Sequence, residues 1–158
     1  MVRHAEATDL DAITGLYEAS RRFMRENGNP TQWANGFPPR ELLEEDIRVG
    51  RLYVCCDENG VYGAFALIFG DDPTYAEIDG AWRDSSPYAT IHRVSGGRGR
   101  GVFGECIAYA RGQIDHLRID THSDNAPMQH LITKAGFVRC GIIHISDGTP
   151  RIAYEWTK

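Results

Sequence analysis

A glycine-rich turn between a strand and a helix constrains this chain more than any other feature. The pattern from Tyr88 to Val94 predicts a strand, and apolar residues from Val102 onward recur at helical spacing. Five glycines lie at the junction: Gly96, Gly97, Gly99, Gly101 and Gly104. Glycine lets backbone N–H groups turn inward, and a helix N-terminus adds unpaired N–H donors and a partial positive charge. The junction therefore predicts an anion site for a phosphate or pyrophosphate.

The overall charge of the chain makes this turn conspicuous. The 158 residues carry a net charge of −5, yet Arg93, Arg98 and Arg100 lie in or beside the turn. The acidic balance argues against nucleic acid as the main partner. The length predicts one domain, residues 1–158. Because no segment resembles a membrane span or an apolar signal peptide, we expect a cytoplasmic protein without a membrane partner.

The four cysteines do not form a metal or redox motif. Cys55 and Cys56 are adjacent, whereas Cys106 and Cys140 lie in a helical and a strand pattern. No C-x-x-C pair is present, so the sequence predicts neither zinc nor a redox pair. We interpret the cysteines as small buried apolar residues and expect no metal.

The hydrophobic pattern predicts an α/β (α+β) fold. The element order is one strand, two helices, three or four strands in a meander, and then β-α-β-α-β-β. Its central unit runs from Tyr88 to Thr121 as strand, helix and strand, which predicts a right-handed parallel crossover with its ligand at the carboxyl end of the first strand. We expect six to seven of these strands to form a mixed central sheet, flanked by about four helices.

Three motifs in a fixed order resemble the GNAT superfamily of acetyl-CoA-dependent N-acetyltransferases, in particular its bacterial members. A strand runs into Arg98-Gly-Arg-Gly101 and a helix, and a second strand is followed by Asp124-Asn125 at the start of another helix. Lys134-Ala-Gly-Phe137 then leads into the last strands. The resemblance covers nearly the whole chain and is strongest from Ile91 to Arg139.

The resemblance implies acetyl-CoA as cosubstrate and parallel strands that splay apart around residues 88–94 and 117–121. The backbone of Arg93, Val94 and Ser95 would pair with the pantetheine arm and polarise the thioester carbonyl. The pyrophosphate would rest on the next turn, formed by Arg98, Gly99, Arg100, Gly101 and Val102. The alternative for these arginines is solvated surface charge.

The resemblance also assigns Asn125 to the pantetheine or adenine arm. Asn125 precedes Ala-Pro-Met and is equally suited to cap a helix, and the two roles can coexist. Trp33 lies in the loop between the first two helices, a segment that usually walls the acceptor pocket in this family. We therefore expect Trp33 to line that pocket. Because dimers are common among relatives, a homodimer is a further expectation.

The implied reaction is direct attack of a primary amine, on a small molecule or a protein, on the thioester. An ammonium substrate must first lose a proton, so a general base is needed. Candidates are Glu77, His92 and His122, with Asp120 as a further carboxylate. His92 and Asp120 can instead belong to a structural charge network, for example with Arg93 bound to Asp120.

The strand before the turn decides which way these groups point. Period-two alternation predicts Thr90, His92 and Val94 on one face and Ile91 and Arg93 on the other.

Two positions depart from the family pattern. Ile132 stands where many members carry a Tyr that is thought to protonate the leaving thiolate, and Phe103 occupies the last small position of the turn motif. These departures keep open a second hypothesis, a module that binds CoA or another acyl-CoA without catalysis. A nucleotide P-loop is a poor alternative because the turn has no Gly-Lys-Ser/Thr.

Overall fold

The computed structural model describes residues 1–97 and 99–158, so Arg98 lies outside the described residues. The strands are β1 (Val2–His4), β2 (Leu52–Asp57), β3 (Gly60–Phe69), β4 (Asp79–Gly80), β5 (Ala89–Gly96), β6 (His116–Thr121), β7 (Val138–His144) and β8 (Pro150–Thr157). The helices are α1 (Leu10–Glu26), α2 (Arg40–Arg48), α3 (Val102–Arg111) and α4 (Ala126–Lys134). Short 3-10 turns lie at Ala7–Asp9 and Pro73–Tyr75. None of the helices in this part of the chain is long and apolar enough to cross a membrane.

The strands form one mixed sheet in the order β1-β2-β3-β5-β6-β8-β7-β4. The class and the four helices confirm the prediction, but the expected six to seven strands are too few, since the described chain has eight. The additional strand is β4, whose two residues pair with Gly141 and Ile142 of β7. Two residues are too short to show a period-two pattern in the sequence.

The sheet is covered on both faces, except above its centre. Helices α3 and α4 pack on one face, around Phe103, Ile107 and Ile132. Helices α1 and α2 pack on the other face over β2 and β3. The segment between β3 and β5 covers the far end of that second face through Tyr75 and Tyr88. The gap between these two covers lies over β5 and β6 and positions the cavity described below.

A buried charge network holds the segment between β3 and β5 on the sheet. Glu155 of β8 is paired with His116 Nε2 at 2.7 Å and accepts a hydrogen bond from Arg118 Nε at 3.2 Å. The Arg118 guanidinium lies 4.0 Å from the ring centroids of both Trp82 and Tyr88. These cation–π contacts pin the segment and thereby fix the wall of the cavity that it forms.

Strands β5 and β6 are the parallel pair of the sheet, and they separate. Their register joins Ala89 to Leu117, Thr90 to Arg118 and Ile91 to Ile119, and the described residues show no pair beyond Ile91. The splayed parallel strands that the family resemblance implied around 88–94 and 117–121 are therefore confirmed.

A β-bulge at Arg93 begins where the strands part. Arg93 has φ of 54°, in the left-handed region that a non-glycine residue rarely adopts. The register with β3 moves from Ala64–Ser95 to Ala66–His92, so one residue of β3 faces two residues of β5.

The bulge makes the predicted alternation wrong beyond His92. Thr90, His92 and Val94 were expected on one face and Ile91 and Arg93 on the other. In the structure Val94 packs with Ile91 in the core on the α3 side, whereas the Arg93 side chain reaches α2. The extra residue of a bulge shifts every later side chain to the opposite face, and period counting cannot reveal it.

Glycines allow the start of α3 to lie close to the sheet. A Cβ at Gly96 would lie 2.3 Å from Val102 Cγ2, and one at Gly63 would lie 2.7 Å from both Val102 methyls. Such distances are far inside van der Waals contact, so any larger residue would push α3 away. The N-terminus of α3 is thereby held beside the end of β5.

We expect Gly96→Ala to destabilise the fold by about 1–3 kcal/mol, because the added methyl overpacks against Val102. Gly104→Ala is the matched control, since a Cβ there meets nothing within 4 Å. Removing a glycine from the helix should stabilise the fold by about 0.5–1 kcal/mol. Urea unfolding monitored by circular dichroism measures both values. Equal stability of the two variants would contradict this packing.

Candidate active site

A cavity of about 340 Å³ opens where β5 and β6 separate. Its floor is formed by the two diverging strands, and its walls come from the loop after α1, the turn after β3, the start of α4 and the β7–β8 hairpin. The lining residues used below are Gln32, Trp33, Phe37, Asp72, His92, Arg93, Val94, Asp120, Asn125, Ile145 and Arg151.

The bulge is held from outside the sheet by buried polar contacts. Arg93 Nη2 donates to Asp46 of α2 at 2.6 Å, and Asp46 is fully buried and also accepts from Arg51 Nε at 2.6 Å. The Tyr17 hydroxyl donates to the Arg93 carbonyl at 2.7 Å, and burial raises the pKa of that phenol. The sequence-based expectation that Arg93 could bind Asp120 in a charge network is therefore wrong. The bulge turns the Arg93 guanidinium towards α2 instead.

The two residues after the bulge differ in their side-chain environment. Val94 lines the cavity, whereas Ser95 is buried and its Oγ donates to the Leu16 carbonyl at 3.0 Å. Ser95 Oγ also lies 2.5 Å from Ser20 Oγ. These contacts tie β5 to α1, so the backbone of β5 is fixed while its edge towards β6 is splayed open.

A histidine–aspartate pair faces the cavity. His92 Nε2 lies 3.0 Å from Asp72 Oδ2, and the other Asp72 oxygen accepts from the Thr74 amide at 2.9 Å and the Thr74 hydroxyl at 2.7 Å. Burial by itself raises the pKa of Asp72, but the hydrogen bonds from His92 and Thr74 outweigh it and lower that pKa to about 2. When Nε2–H donates to this carboxylate, Nδ1 of the neutral ring carries the lone pair.

Two further charged groups face the same space. Asp120 of β6 accepts a hydrogen bond from the buried Tyr75 hydroxyl at 2.6 Å. Burial, followed by the charge of Asp120, raises the pKa of Tyr75 well above its usual value. Arg151 at the start of β8 is 6% exposed and also lines the cavity. The site therefore combines two carboxylates, a histidine and a guanidinium in a partly apolar pocket.

The glycine turn leaves the N-terminus of α3 open. Gly99 and Gly101 have φ of 73° and 69°, and Gly101 is the N-cap of α3 without a hydrogen bond from any described side chain. A helix end of this kind retains N–H donors, and a turn without side chains fits an anion such as a pyrophosphate. The Arg100 side chain points elsewhere, because it is paired with Asp57 and lies over the Tyr62 ring at 4.1 Å.

Asn125 and Trp33 both lie on the cavity wall. Asn125 Oδ1 accepts from the Met128 amide at 3.2 Å, so it caps α4, and its Nδ2 donates to Gln32 Oε1 at 2.9 Å. Trp33 contacts the Tyr17 ring edge-on at 5.5 Å between centroids. The binding roles that the sequence assigned to both residues stay predictions.

The other two candidate bases lie outside the lining of the cavity. His122 follows β6, where Nδ1 accepts from the Asp124 amide at 2.9 Å and Nε2 lies 3.2 Å from Thr31 Oγ1. Glu77 is exposed in the bend before β4. Among the described residues, no three His, Cys, Asp or Glu side chains form a group that could hold a metal ion.

Sequence reasoning missed Asp72 and Arg151. Asp72 stands before Pro73 and resembles an ordinary turn residue, and it does cap the 3-10 turn. Arg151 belongs to the closing hairpin, whose only sequence signal was its turn. Neither position carries a local pattern that indicates a site, because each reaches the cavity through strand pairing that is distant in sequence.

Comparison with known proteins assigns the family. No protein-family model and no curated protein matches the chain. A GNAT-family acetyltransferase from Streptococcus agalactiae does: it is 30% identical, the match covers 100% of this chain and 95% of that protein, and the TM-score is 0.90. This chain belongs to the GNAT family of acetyltransferases.

Further acetyltransferase structures share the fold at lower identity. A family member from Listeria monocytogenes is 22% identical over 100% of this chain and 94% of that protein, with a TM-score of 0.74. A Salmonella typhimurium structure with its cofactor acetyl-CoA is 16% identical over 99% of this chain and 92% of that protein, with a TM-score of 0.60. At these identities the comparison supports the shared GNAT fold.

We expect Asp72→Asn to lower the free energy of unfolding by about 2 kcal/mol near pH 6, the equivalent of the pKa shift from 3.8 to about 2. The folded chain has the lower pKa, so ionised Asp72 stabilises above pH 4 and this contribution is lost as the pH falls towards 2. The difference between wild type and variant should therefore shrink over this range. Urea unfolding at successive pH values measures it, and a difference that does not change with pH would contradict the assigned pairing.

Proposed function

We propose that this chain transfers an acetyl group from acetyl-CoA to a primary amine of a small molecule or protein. The amine attacks the thioester directly. The observation that carries this proposal is the coincidence of the splayed β5–β6 pair, the bulge at Arg93 and the His92–Asp72 pair at one cavity. A cytoplasmic location and a homodimer stay predictions from the sequence.

The open edge of β5 supports the donor half of the proposal. The backbone of Arg93, Val94 and Ser95 lies beyond the last described pair with β6, so it can bond the amides of the pantetheine arm as an added strand would. The pyrophosphate would lie at the uncapped N-terminus of α3, around Gly99 and Gly101. Arg98 and Arg100 would supply charge, and Arg100 would have to leave Asp57 to do so.

The His92–Asp72 pair supports a role in proton transfer. Asp72 orients the ring through Nε2, and Nδ1 accepts the proton that the attacking amine loses. Glu77 and His122 remain alternative bases, but neither lines the cavity. Acetyl-CoA supplies the thioester, and backbone N–H groups at the bulge would stabilise the negative charge that develops on its carbonyl oxygen.

The leaving thiolate needs little help from an acid. Ile132, at the position of the usual Tyr, is a residue of α4 that is fully buried in the core, and its side chain has no proton to donate. A free thiol has a pKa of about 8.5, so the thiolate is a stable leaving group near neutral pH. Proton removal from the amine is therefore the step in which this chain's side chains contribute most.

We expect acetyl-CoA to raise the melting temperature of the chain, since a ligand at about 100 times its Kd stabilises a fold by about 2.7 kcal/mol. The double variant Arg98→Ala, Arg100→Ala should bind more weakly and reduce the shift, whereas Arg139→Ala, at an exposed position of β7, should retain it. Thermal shift at millimolar acetyl-CoA measures this effect. No response of the wild-type chain would contradict acetyl-CoA as the donor.

We expect His92→Gln to lower kcat by about 100-fold or more, as loss of a general base does, while the Kd for acetyl-CoA stays unchanged. Asp72→Asn should lower kcat less and move the pH at which activity rises. Release of free thiol with a panel of primary amines measures both. Unchanged kcat in His92→Gln would place the base elsewhere, and acetyl-CoA binding without thiol release would favour the non-catalytic alternative.

A further inference from the structure

Arg151 is a buried cation whose donors are only partly used. Its Nη1 donates to the Thr149 hydroxyl at 3.1 Å and to the Pro150 carbonyl at 2.8 Å. Both of these hydrogen bonds leave from one nitrogen, so Nε and Nη2 have no partner among the described residues. Because the guanidinium lines the cavity, its remaining donors are available to a molecule bound there.

The charge of Arg151 is not neutralised by an ion pair. Arg118, the other buried arginine of the described chain, lies 3.2 Å from Glu155, and Arg93 lies 2.6 Å from Asp46. Among the described residues, Arg151 is hydrogen-bonded only to Thr149 and Pro150 and forms no salt bridge with a carboxylate. Burial lowers its pKa, and the more distant charges of Asp120 and Asp147 act in the opposite direction. A desolvated guanidinium without a paired anion is costly in a fold, which indicates that its anion arrives with the substrate.

The register of the sheet places opposite charges on the same face of the cavity. Asp120 pairs with Ala153, and Arg151 lies two residues before Ala153 on the same side of β8. A two-residue step along a strand spans about 7 Å, which is the scale of a small molecule. Asp120 and Asp72 therefore provide negative charge in one part of the cavity. Arg151 provides positive charge at another part of the same lining.

We propose that the acceptor is a small amino acid, an inference that rests on the proposed acetyl transfer. Its carboxylate binds Arg151, and its amino group lies between His92 and Asp120. Arg151 offers two nitrogens for a bidentate carboxylate contact. The carboxylates attract the ammonium, and His92 receives its proton. The volume of about 340 Å³ suits such a molecule, with Trp33, Phe37 and Ile145 available to its side chain.

The test compares leucine, methionine and glutamate, each as the free acid and as its α-carboxamide. Thiol release from acetyl-CoA is measured for each compound. We expect wild-type kcat/KM to favour each free acid over its amide by about 100-fold or more, because the amide leaves Arg151 without its anion. In Arg151→Gln this ratio should collapse towards one, mainly through KM for the free acid. Arg151→Lys should keep part of the preference, and Arg139→Gln should keep all of it.

Two outcomes would overturn the inference while leaving acetyl transfer intact. One is a wild-type chain that acetylates amides as well as free acids. The other is an Arg151→Gln variant that loses activity equally on both, which is the result for a purely structural arginine. If the variant does not fold, the wild-type preference alone decides the question.

Binding separates this inference from the proposed reaction. Leucine titrated into the wild-type chain with CoA should change the tryptophan fluorescence, because Trp33 lines the same cavity, and leucinamide should not. Selective binding without thiol release would support the carboxylate site and refute the reaction. Thiol release from amines, with no preference for free acids over amides in either assay, would support the reaction and refute the carboxylate site.

Discussion

The structure of the site depends on the pairing of buried Asp46 with Arg93. An arginine in a left-handed backbone conformation is unfavourable, and the bulge persists because Asp46 holds its side chain and Tyr17 its carbonyl. Removing one partner of such a buried ion pair typically costs about 3–5 kcal/mol. Since these anchors come from α1 and α2, the two helices that cover one face also determine where β5 leaves β6.

The bulge has two consequences that together create the site. It leaves the backbone edge of β5 beyond Ile91 unpaired with β6, and this is the edge at which we propose that the pantetheine arm binds. It also brings Val94 to the α3 side while His92 remains towards the open cavity beside Asp72. In the proposed function, acetyl-CoA and the base His92 would meet at one point because the two parallel strands separate at the bulge.

The sequence predicted those features that depend on residues close together in the chain. The glycine turn, the order of helices and strands and the crossover from Tyr88 to Thr121 each follow from patterns within a short window, and the family resemblance added the splay. The bulge, the His92–Asp72 pair and the position of Arg151 depend on contacts between distant segments. His92 and Asp72 are 20 residues apart, and Asp46 and Arg93 are 47 apart. No periodicity carries information about such contacts.

The position of acetyl-CoA relative to β5 and β6 can be measured in a crystal structure of the chain with this cosubstrate. We expect the thioester to lie between β5 and β6, with its carbonyl oxygen at the backbone N–H groups around Val94 and its acetyl carbon facing His92 Nδ1. The pyrophosphate should contact the N-terminus of α3. An acetyl group bound outside this split, or a β5–β6 ladder that continues past Ile91 in the complex, would contradict it.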